Sequence, residues 1–530
     1  MIDPQPATSA YEYPLLIRQL LHTPLTQTPD HEIVYADSER FSYATLGKRI
    51  ESLANMLTDL GMQPSSTIAV MDWDSHRYLE CFFAVPMMGA VLHTINIRLS
   101  PEQILYTINH AEDDLILVHR DFMPIIDLIK QRFERDIQII PLDEYENRLA
   151  AAGDGFMFPD FDENTRATTF YTTGTTGPPK GVYFSHRQLV LHSMGFMSAL
   201  GWSAVHGRFH RDDVYMPITP MFHVHAWGVP YVATLMGVKQ VYPGRYEPEL
   251  LLDLIAREQV TFSHCVPTIL NMMLSHPNAA RTDFSNWKVV IGGAALPQGL
   301  AKKALSHGID LFSAYGMSET CPLLTAAHLT TEMLNGDPDE QIRMRCKTGR
   351  AAPLVEIRVV DENMIDVPQD GVSTGEIVVR APWLTPGYLK ENERSEELWA
   401  GGYLHTGDIA TIDKDGYLQV TDRIKDVIKS GGEWLSSLEL ENIISQVSGV
   451  AQVAVIGITD EKWGERPLAL VVTTEDAEVT EDIVKAHVKD FADRGILSPW
   501  AVPNRVEFIE TIDLTSVGKI DKKLLRQKYG

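Results

Sequence analysis

Short apolar runs rich in β-branched residues alternate with amphipathic helical patterns along almost the whole chain. Clear examples of the short runs are residues 67–71, 114–118, 289–291 and 376–380. This alternation predicts helices layered on largely parallel sheets, because two neighbouring parallel strands need a crossover between them. We therefore expect an α/β fold: a large multi-layer N-terminal domain with mostly parallel sheets and a small mobile α+β C-terminal domain.

The domain boundary is predicted near Asp422. A chain of 530 residues is longer than one hydrophobic core comfortably serves. After Asp422, Ser436 and Glu439 have the spacing of a helix capping box, and a compact series of elements follows. The predicted elements of that series are strands at 450–458, 468–473 and 505–509 and a helix at 481–491. We assign residues 1–422 to the large N-terminal domain and 423–530 to the small C-terminal domain.

Composition excludes several classes of partner. The net charge of −25, from 71 acidic and 46 basic residues, argues against a nucleic-acid partner or an anionic membrane surface. Four scattered cysteines without a CxxC pair favour a reducing compartment and no structural metal. The N-terminus lacks the pattern of a signal peptide, and the longest apolar run, residues 81–92, is too short to span a bilayer. We expect a cytoplasmic protein without a transmembrane segment.

A loop rich in glycine and threonine, ending in Pro-Pro-Lys, lies between two β-like runs. Its glycines let backbone N–H groups turn toward an anion, and its hydroxyls and lysine add donors, which predicts a polyphosphate cradle. It is not a Walker A loop, because Gly-Lys-Ser/Thr is absent and no helix opens at the lysine. A flexible surface loop is the alternative. The predicted ATP-binding residues are Thr172, Thr173, Gly174, Thr175, Thr176, Gly177 and Lys180.

This stretch resembles the phosphate loop of the adenylate-forming enzymes, the superfamily of acyl-CoA synthetases, luciferases and peptide-synthetase adenylation domains. Five or six motifs follow in the family order, so the resemblance spans the whole chain. The fullest likeness is to bacterial fatty-acyl-CoA synthetases, because the segment 425–437 and the segment around Trp227 occur together. The methylmercaptopropionate-CoA ligases share much of this pattern.

The segment from Tyr315 to Thr320 follows an apolar run at 311–314. An aromatic ring, a turn glycine, a hydroxyl and a carboxylate then stand at a strand's carboxyl end, where open α/β sheets bind ligands; a solvated turn is the alternative. The resemblance implies that Tyr315 stacks on adenine, that Ser318 contacts the phosphates and that Glu319 binds Mg²⁺, helped by Thr172. It further assigns Gly316 and Thr320 to the nucleotide site and Ala314 and Met317 to the acyl pocket.

Two other segments complete the predicted pockets. The small-residue bend after 289–291 lets the backbone approach a flat ligand, and the resemblance places Gly292 in the acyl pocket and Gly293 and Ala294 in the nucleotide site. Asp408 is the candidate acceptor for both ribose hydroxyls, and Arg423 is a second ribose contact. A Thr-Gly-Asp turn is common by itself, so the order of the motifs carries this assignment.

The segment Pro220–Trp227 resembles the gate beside the acyl pocket, with His223 and Trp227 as its candidate residues. His223-x-His225 also has a metal-ligand spacing, although no third ligand is evident, and a large ring such as Trp227 is also ordinary core. The aspartate that holds an α-ammonium group in peptide-synthetase domains is missing. A carboxylic acid without an amino group is therefore the expected substrate.

The C-terminal domain carries the remaining candidates. The resemblance makes Lys425 the hinge and Lys519 the catalytic lysine, and it places Lys429, Gly431, Gly432 and Trp434 on the CoA side. One departure concerns the loop before Lys519: the family usually has proline and a basic residue before the threonine, where this chain has Asp513 and Leu514. The stiffness of that loop is therefore in doubt, whereas the lysine itself matches.

The resemblance implies an ATP-dependent fatty acid, or related carboxylic acid, CoA ligase. It would form an acyl-adenylate with release of pyrophosphate, then acyl-CoA with release of AMP, using ATP, CoA and Mg²⁺, and a homodimer is one implied assembly. One alternative is a stand-alone adenylation enzyme that passes the acyl group to a carrier protein; no carrier domain follows Lys519, which favours free CoA. Others are a methylthiopropionate-type short-chain acid:CoA ligase and a non-catalytic nucleotide sensor.

Overall fold

The computed structural model describes residues 7–172, 178–201, 207–430, 433–460, 462–474, 477–495, 497–515 and 519–530, with the side chains of 433 and 434 left out. The N-terminal strands are, in chain order, β1 Glu32–Tyr35, β2 Glu39–Ser42, β3 Thr67–Met71, β4 Val91–Thr94, β5 Leu115–Val118, β6 Gln138–Pro141, β7 Arg166–Thr172, β8 Lys180–Ser185, β9 Val214–Ile218, β10 Lys239–Tyr242, β11 Phe262–Cys265, β12 Lys288–Ile291, β13 Asp310–Gly316, β14 Leu323–Ala326, β15 Arg350–Ala351, β16 Glu356–Val360, β17 Gly375–Arg380, β18 Leu404–Ile412 and β19 Leu418–Arg423. The strands after them are β20 Ile428–Ser430, β21 Glu433–Leu435, β22 Val450–Asp460, β23 Gly464–Thr473 and β24 Arg505–Phe508.

The helices lie mainly between the strands of the N-terminal sheets. In chain order they are α1 His22–Gln27, α2 Tyr43–Asp59, α3 His76–Met87, α4 Pro101–Ala111, α5 Met123–Ile129, α6 Tyr145–Ala152, α7 His186–Gly201, α8 Val224–Trp227, α9 Val229–Met236, α10 Pro248–Glu258, α11 Pro267–Ser275, α12 Gln298–Ser306, α13 Thr331–Leu334, α14 Pro338–Arg345, α15 Asn392–Leu398, α16 Ser437–Ile444, α17 Glu481–Asp493 and α18 Lys522–Tyr529.

Two largely parallel sheets form the body of the N-terminal domain. One has the strand order β6-β5-β3-β4-β7-β8, and the other has the order β15-β14-β13-β12-β11-β9-β10-β1-β2. All five residues of β3 are buried, as expected for a parallel strand covered by helices on both faces. The predicted α/β fold with a large N-terminal domain of mostly parallel sheets is confirmed.

A third, antiparallel sheet places two candidate ribose contacts side by side. Its strand order is β16-β17-β18-β19, and the register of β18 with β19 sets Asp408 opposite Arg423. Ile377, Val379 and Leu404 of this sheet are buried in the same core as β3 and β5. The sheet is therefore fixed against the parallel layers.

The fourth sheet belongs to the small domain, in the order β21-β20-β23-β22 with β24 parallel to β23. The strands predicted at 450–458, 468–473 and 505–509 and the helix predicted at 481–491 correspond to β22, β23, β24 and α17. The expected capping box is only half correct. Ser436 accepts a hydrogen bond from the Glu439 backbone at 3.0 Å, but its hydroxyl donates to the carbonyl of Thr421. The boundary at residue 422 stays a prediction, since β19 continues through Arg423.

Two sequence expectations concern the environment of the chain. Among the described residues, no helix has both the length and the apolar character needed to cross a membrane. Cys81, Cys265 and Cys321 are buried as free thiols, and Cys346 is a partly buried free thiol.

Gly195 tests how tightly α7 packs against the buried Trp383 ring. A Cβ at Gly195 would lie 2.5 Å from the buried ring of Trp383, whereas a Cβ at Gly201 on the same helix meets no atom within 4 Å. We expect Gly195→Ala to lower the melting temperature, because overpacking of about 1–3 kcal/mol outweighs the helix gain of up to about 1 kcal/mol. Gly201→Ala is the matched control and should be neutral or stabilising. An unchanged melting temperature in both variants would contradict this packing.

Candidate active site

The two ends of the glycine- and threonine-rich loop lie at the edge of the six-stranded sheet. Thr172 ends β7 and pairs with Lys180, the first residue of the antiparallel strand β8. The Lys180 ammonium lies 4.4 Å from the ring centroid of Tyr388, a cation–π distance. The predicted cradle residues between these strand ends lie outside the described residues; they are Thr173, Gly174, Thr175, Thr176 and Gly177.

Glu319 is a buried carboxylate held by Tyr388. Its side chain sits in the short 3₁₀ turn Ser318–Thr320, is 7% exposed, and its Oε1 accepts a hydrogen bond of 2.8 Å from the Tyr388 hydroxyl. The Glu319 carbonyl accepts from the Thr385 backbone at 2.9 Å. Burial and the Glu319 charge raise the pKa of Tyr388, so this phenol stays a donor. The sequence analysis did not identify Tyr388 as a site residue. The only local pattern that could have indicated it is the turn sequence Thr385-Pro-Gly directly before this aromatic residue.

The segment 316–320 is built around a close approach that only glycine permits. A Cβ at Gly316 would lie 1.6 Å from the carbonyl oxygen of Pro322. Thr320, predicted as a nucleotide contact, is fully buried, and its hydroxyl accepts from the Met317 backbone at 3.0 Å. Thr320 thus fixes the shape of the turn, while Ser318 is partly exposed at its start. Met317 is half-buried against the main core.

Tyr315 and Asp408 are joined directly. The Tyr315 hydroxyl donates to Asp408 Oδ2 at 2.7 Å, and Arg423 Nε lies 3.4 Å from Asp408 Oδ1. Burial raises the pKa of Asp408, while Arg423 and the Tyr315 hydrogen bond oppose that shift. Arg423 is exposed, so its guanidinium is accessible beside the carboxylate. Three residues predicted for the adenosine part of the site are therefore brought together across β13, β18 and β19.

Lys519 of the small domain reaches this site. A Cβ at Gly293 would lie 3.3 Å from Lys519 Cε, and Gly293 has a φ of +77°, so glycine both allows the turn and leaves room for the lysine. Burial, followed by the Arg423 charge, lowers the pKa of Lys519 to about 8, while Asp408 and Glu319 act in the opposite direction. The two carboxylates and the lysine are thus close enough to influence one another's charge.

The lysine-bearing loop is tied at its base. The Thr515 backbone donates to the Lys519 carbonyl at 2.6 Å, and the Lys519 backbone donates to the Thr515 hydroxyl at 3.2 Å. Leu514 forms an isolated β-bridge with Ile520, and the Asp521 backbone donates to the Asp513 carbonyl at 2.9 Å. The unusual Asp513-Leu514 pair is therefore part of a hydrogen-bonded loop base.

A small cavity lies between Lys519 and the nine-stranded sheet. Its walls combine polar and apolar side chains: Arg98, Thr219, His223, Tyr246, Ile218, Trp227, Val266 and Ile269. Burial, with the Lys519 and Arg98 charges next, lowers the pKa of His223 to about 3, so its ring is neutral at pH 7. The sequence analysis did not identify Arg98 as a site residue, because a single cation two residues after an asparagine does not indicate a binding site.

Trp227 forms one wall of this cavity and is 6% exposed. Its ring lies 5.0 Å from that of His264, and a Cβ at Gly292 would come within 3.0 Å of its Cη2. Ala314 contributes the carbonyl oxygen that lies 3.1 Å from the same Cβ position. Gly292 and Ala314 thus lie behind the Trp227 ring, and Trp227 is both a core residue and a cavity wall.

The segment that carries Trp227 is strained. Val224, His225, Ala226 and Trp227 have φ values of +48°, +54°, +49° and +59°, which form a left-handed turn, and Gly228 continues it at +71°. Left-handed conformation costs about 1–2 kcal/mol for each non-glycine residue. His225 is fully buried among Phe82, Phe170 and Tyr231, whereas His223 lines the cavity. The described residues hold no cluster of three metal-ligating side chains.

The predicted hinge and CoA-side residues lie on the small-domain side of β19. Lys425 is exposed in the turn between β19 and β20, where the Asp426 backbone donates to the Arg423 carbonyl at 2.9 Å. Lys429 is exposed in β20, and its strand register pairs it with Trp434 in β21. Gly431 and Gly432 lie outside the described residues, and Ala294 is exposed next to the half-buried Gly293.

Comparison with known proteins gives matches over the whole chain. The family model described as AMP-binding enzyme matches residues 21–389, and that described as AMP-binding enzyme C-terminal domain matches residues 439–519. A 3-methylmercaptopropionyl-CoA ligase from Ruegeria lacuscaerulensis is 38% identical, over 97% of this chain and 97% of its own. A long-chain-fatty-acid–CoA ligase from Thermus thermophilus is 38% identical, over 92% of this chain and 90% of its own. The ATP-bound crystal structure of MatB from Rhodopseudomonas palustris is 26% identical, with a TM-score of 0.84 over 98% of this chain and 99% of that one.

Proposed function

Because the chain belongs to the AMP-binding enzyme family, we propose that the site around Lys519 activates a carboxylic acid as its adenylate and then transfers the acyl group to CoA. The observation that carries this proposal is the position of Lys519. A lysine from the small domain lies between the Tyr315–Asp408–Arg423 group and the cavity lined by His223 and Trp227.

The reaction class agrees with the sequence expectation. The chain is an AMP-forming acyl-CoA synthetase, an ATP-dependent acid:CoA ligase, as its family and its curated relatives indicate. Activation is needed because hydroxide is a very poor leaving group from a carboxylic acid. The carboxylate attacks the α-phosphate of ATP and pyrophosphate leaves; the thiol of CoA then displaces AMP.

The nucleotide is proposed to lie along the ends of β13 and β18. Tyr315 supplies a ring for the adenine, and its hydroxyl holds Asp408 in place to accept the ribose hydroxyls, with Arg423 beside it. The phosphate loop and Lys180 then receive the phosphates, because Lys180 stands at the mouth of that loop. Gly293 and Ala294 border the base, where small side chains permit close approach.

Glu319 fits the role of a Mg²⁺ ligand. Of the two Glu319 carboxylate oxygens, only Oε1 accepts a hydrogen bond from a described side chain, that of Tyr388. Oε2 therefore remains for a hard cation, which prefers oxygen ligands. Thr172, at the start of the phosphate loop, is the proposed second contact. A bound Mg²⁺ would neutralise phosphate charge during adenylation. Tyr388 orients Glu319 and, through its ring, Lys180.

Lys519 is proposed to act in the first half-reaction. Its ammonium can contact both the acid's carboxylate and the oxygen that bridges it to phosphorus, which stabilises the charge that develops there. Neutral His223, at the same cavity wall, leaves the positive charges of Lys519 and Arg98 to orient the carboxylate. The CoA thiol then needs access to the carbonyl carbon of the acyl-adenylate. We propose that the small domain rotates about Lys425 to provide this access. The rotation would bring Lys429, Gly431, Gly432 and Trp434 toward CoA.

The acid is proposed to be a fatty acid or a related short carboxylic acid, such as the methylthio acid that one relative's name specifies. Trp227 forms one wall of the small cavity, which mixes apolar with polar walls, so we propose that a longer acyl group needs the ring to move. We further propose free CoA as the acceptor, action in the cytoplasm and a homodimer as the assembly.

A pyrophosphate-release assay across acids tests this function. Purified protein with ATP, Mg²⁺ and CoA should release pyrophosphate and AMP in amounts equal to acyl-CoA, for some member of a series of short, medium, long, aromatic and 3-methylthio acids. Lys519→Ala should reduce adenylation by about 10³-fold or more, a loss of about 4 kcal/mol, while thioester formation from preformed acyl-AMP is largely spared. Equal losses in both steps would contradict the role of Lys519, and transfer only to a carrier protein would favour the alternative acceptor.

The pH profile of adenylation should report Lys519. Its pKa is lowered to about 8, so the ammonium is present below that pH and is lost as the pH rises through it. We expect kcat/KM for ATP in pyrophosphate release to fall above pH 8, because this constant follows groups of the free enzyme. The thioester step from preformed acyl-AMP serves as the internal control and should stay level or rise, since the CoA thiol ionises in this range. A decline shared by both steps would contradict the assignment.

Trp227→Ala separates a gate from ordinary core. If the ring is a movable wall on a strained turn, the variant should accept longer or bulkier acids while ATP affinity and the melting temperature change little. If the ring is only core, its removal should cost about 3–5 kcal/mol of stability without altering the acid series. The melting temperature and the rates across the acid series are measured on the same variant. A large drop in melting temperature with an unchanged acid profile would overturn the gate.

A further inference from the structure

A buried polar cluster joins the large domain to the small domain beside the proposed hinge. Asp422 lies in β19, which pairs with β18 of the large domain, and it is 1% exposed. Its Oδ2 accepts hydrogen bonds from the Ser437 backbone at 2.6 Å and from the Ser437 hydroxyl at 2.7 Å, and its Oδ1 accepts from the Arg423 backbone at 2.8 Å. Both oxygens of the Asp422 carboxylate therefore accept hydrogen bonds.

Lys522 completes this cluster from a second helix of the small domain. It is 8% exposed, and its ammonium donates to the Ser437 hydroxyl at 2.6 Å and lies 2.8 Å from Glu441 Oε1. Burial raises the pKa of Asp422, and the positive charge of Lys522 is the largest opposing influence. Lys522 begins α18 only three residues after Lys519. The element that delivers the catalytic lysine is thus anchored to the large domain.

The contacts between Asp422 and Ser437 join residues on opposite sides of the proposed hinge. Asp422 precedes the turn that contains Lys425, whereas Ser437, Glu441 and Lys522 follow it in α16 and α18. A rotation about that turn carries the three small-domain groups away from Asp422. The hydrogen bonds from Ser437 to Asp422 therefore belong to the orientation that places Lys519 in the site, whereas the Lys522 contacts with Ser437 and Glu441 lie within the small domain.

Neighbouring contacts favour the same orientation. The Ser436 hydroxyl donates to the Thr421 carbonyl, which lies in β19. The Gln298 backbone at the start of α12 donates to Asn442 Oδ1 at 3.2 Å, and a Cβ at Gly299 would lie 3.1 Å from the Ser445 carbonyl oxygen. Helix α16 is therefore held by hydrogen bonds to the large domain near both of its ends.

We propose that Asp422, Ser437 and Lys522 form a hinge latch, a set of positioning residues that stabilises the adenylate-forming orientation and must open before the thioester step. The proposal rests on the two-step function and on rotation about Lys425. A buried ion cluster contributes little net stability because its desolvation is costly, but it can select one arrangement of the groups around it. The latch therefore sets the equilibrium between two orientations of the folded enzyme. Because each half-reaction uses one of these orientations, a shift in the equilibrium changes the two rates in different ways.

The Asp422→Asn variant tests the latch by measuring the two half-reactions separately. The substitution keeps the size of the side chain and removes the charge that Lys522 faces. We expect the single-turnover rate of pyrophosphate release with acid and ATP to fall about 10-fold or more. We expect the rate of acyl-CoA formation from preformed acyl-AMP to stay unchanged or rise. A residue needed only for folding would lower both rates together.

Arg526→Met is the matched control. Arg526 also anchors α18, through a 2.6 Å hydrogen bond to Asp426, but both partners lie beyond Lys425 and would move as one body. This variant should change the two rates by the same factor. Ser437→Ala is a second, milder variant that keeps the backbone donor and removes only the bridging hydroxyl. It should show a smaller split in the same direction as Asp422→Asn, and it keeps the test open if the latter folds poorly.

The outcomes separate the latch from the proposed function. A wild-type enzyme without acid-dependent pyrophosphate release would overturn the two-step function itself. A wild-type enzyme that performs both steps, with equal rate losses in Asp422→Asn and Ser437→Ala, would overturn the latch alone. The same split in Arg526→Met would also overturn it, because the effect would then not depend on crossing the hinge.

Discussion

A partly buried lysine charge at the junction of two domains is the constraint on which this structure depends. The groups that surround Lys519 come from β18, β19 and the segments that follow β12 and β13 in the large domain, whereas the lysine comes from a loop of the small one. Burial and Arg423 lower its pKa to about 8, and Asp408 and Glu319 keep it from falling further. Placing an ammonium there is costly without anions nearby, which agrees with the proposal that the site receives negatively charged substrates.

The architecture follows from that requirement. Parallel sheets bring the ends of β12 and β13 to one edge, and the antiparallel sheet sets Asp408 beside Arg423 at the same place. Gly316 permits the close approach of the Pro322 carbonyl, and Gly293, with its positive φ, leaves room for the lysine. The small domain contributes its lysine through a loop whose helix, α18, is tied to Asp422 through Lys522 and Ser437.

Much of this arrangement could be predicted from sequence because the signals are local. The alternation of strands and helices indicated the fold, and short motifs indicated Glu319, Asp408, Arg423 and Lys519. What could not be predicted depends on contacts between distant segments. Tyr388 reaches Glu319 across 69 positions, and Lys522 meets Ser437 across 85. The left-handed turn before Trp227 was also unforeseen, because Val224 and Trp227 carry no local preference for positive φ.

The central claim is that the enzyme forms a bound acyl-adenylate before CoA takes part. A rapid-quench experiment with excess ATP and acid but no CoA tests it most directly. The account predicts a burst of pyrophosphate equal to the concentration of active sites, with acyl-AMP retained on the protein and converted to acyl-CoA when CoA is added. Release of pyrophosphate only in the presence of CoA, or formation of ADP and phosphate in place of AMP and pyrophosphate, would contradict it.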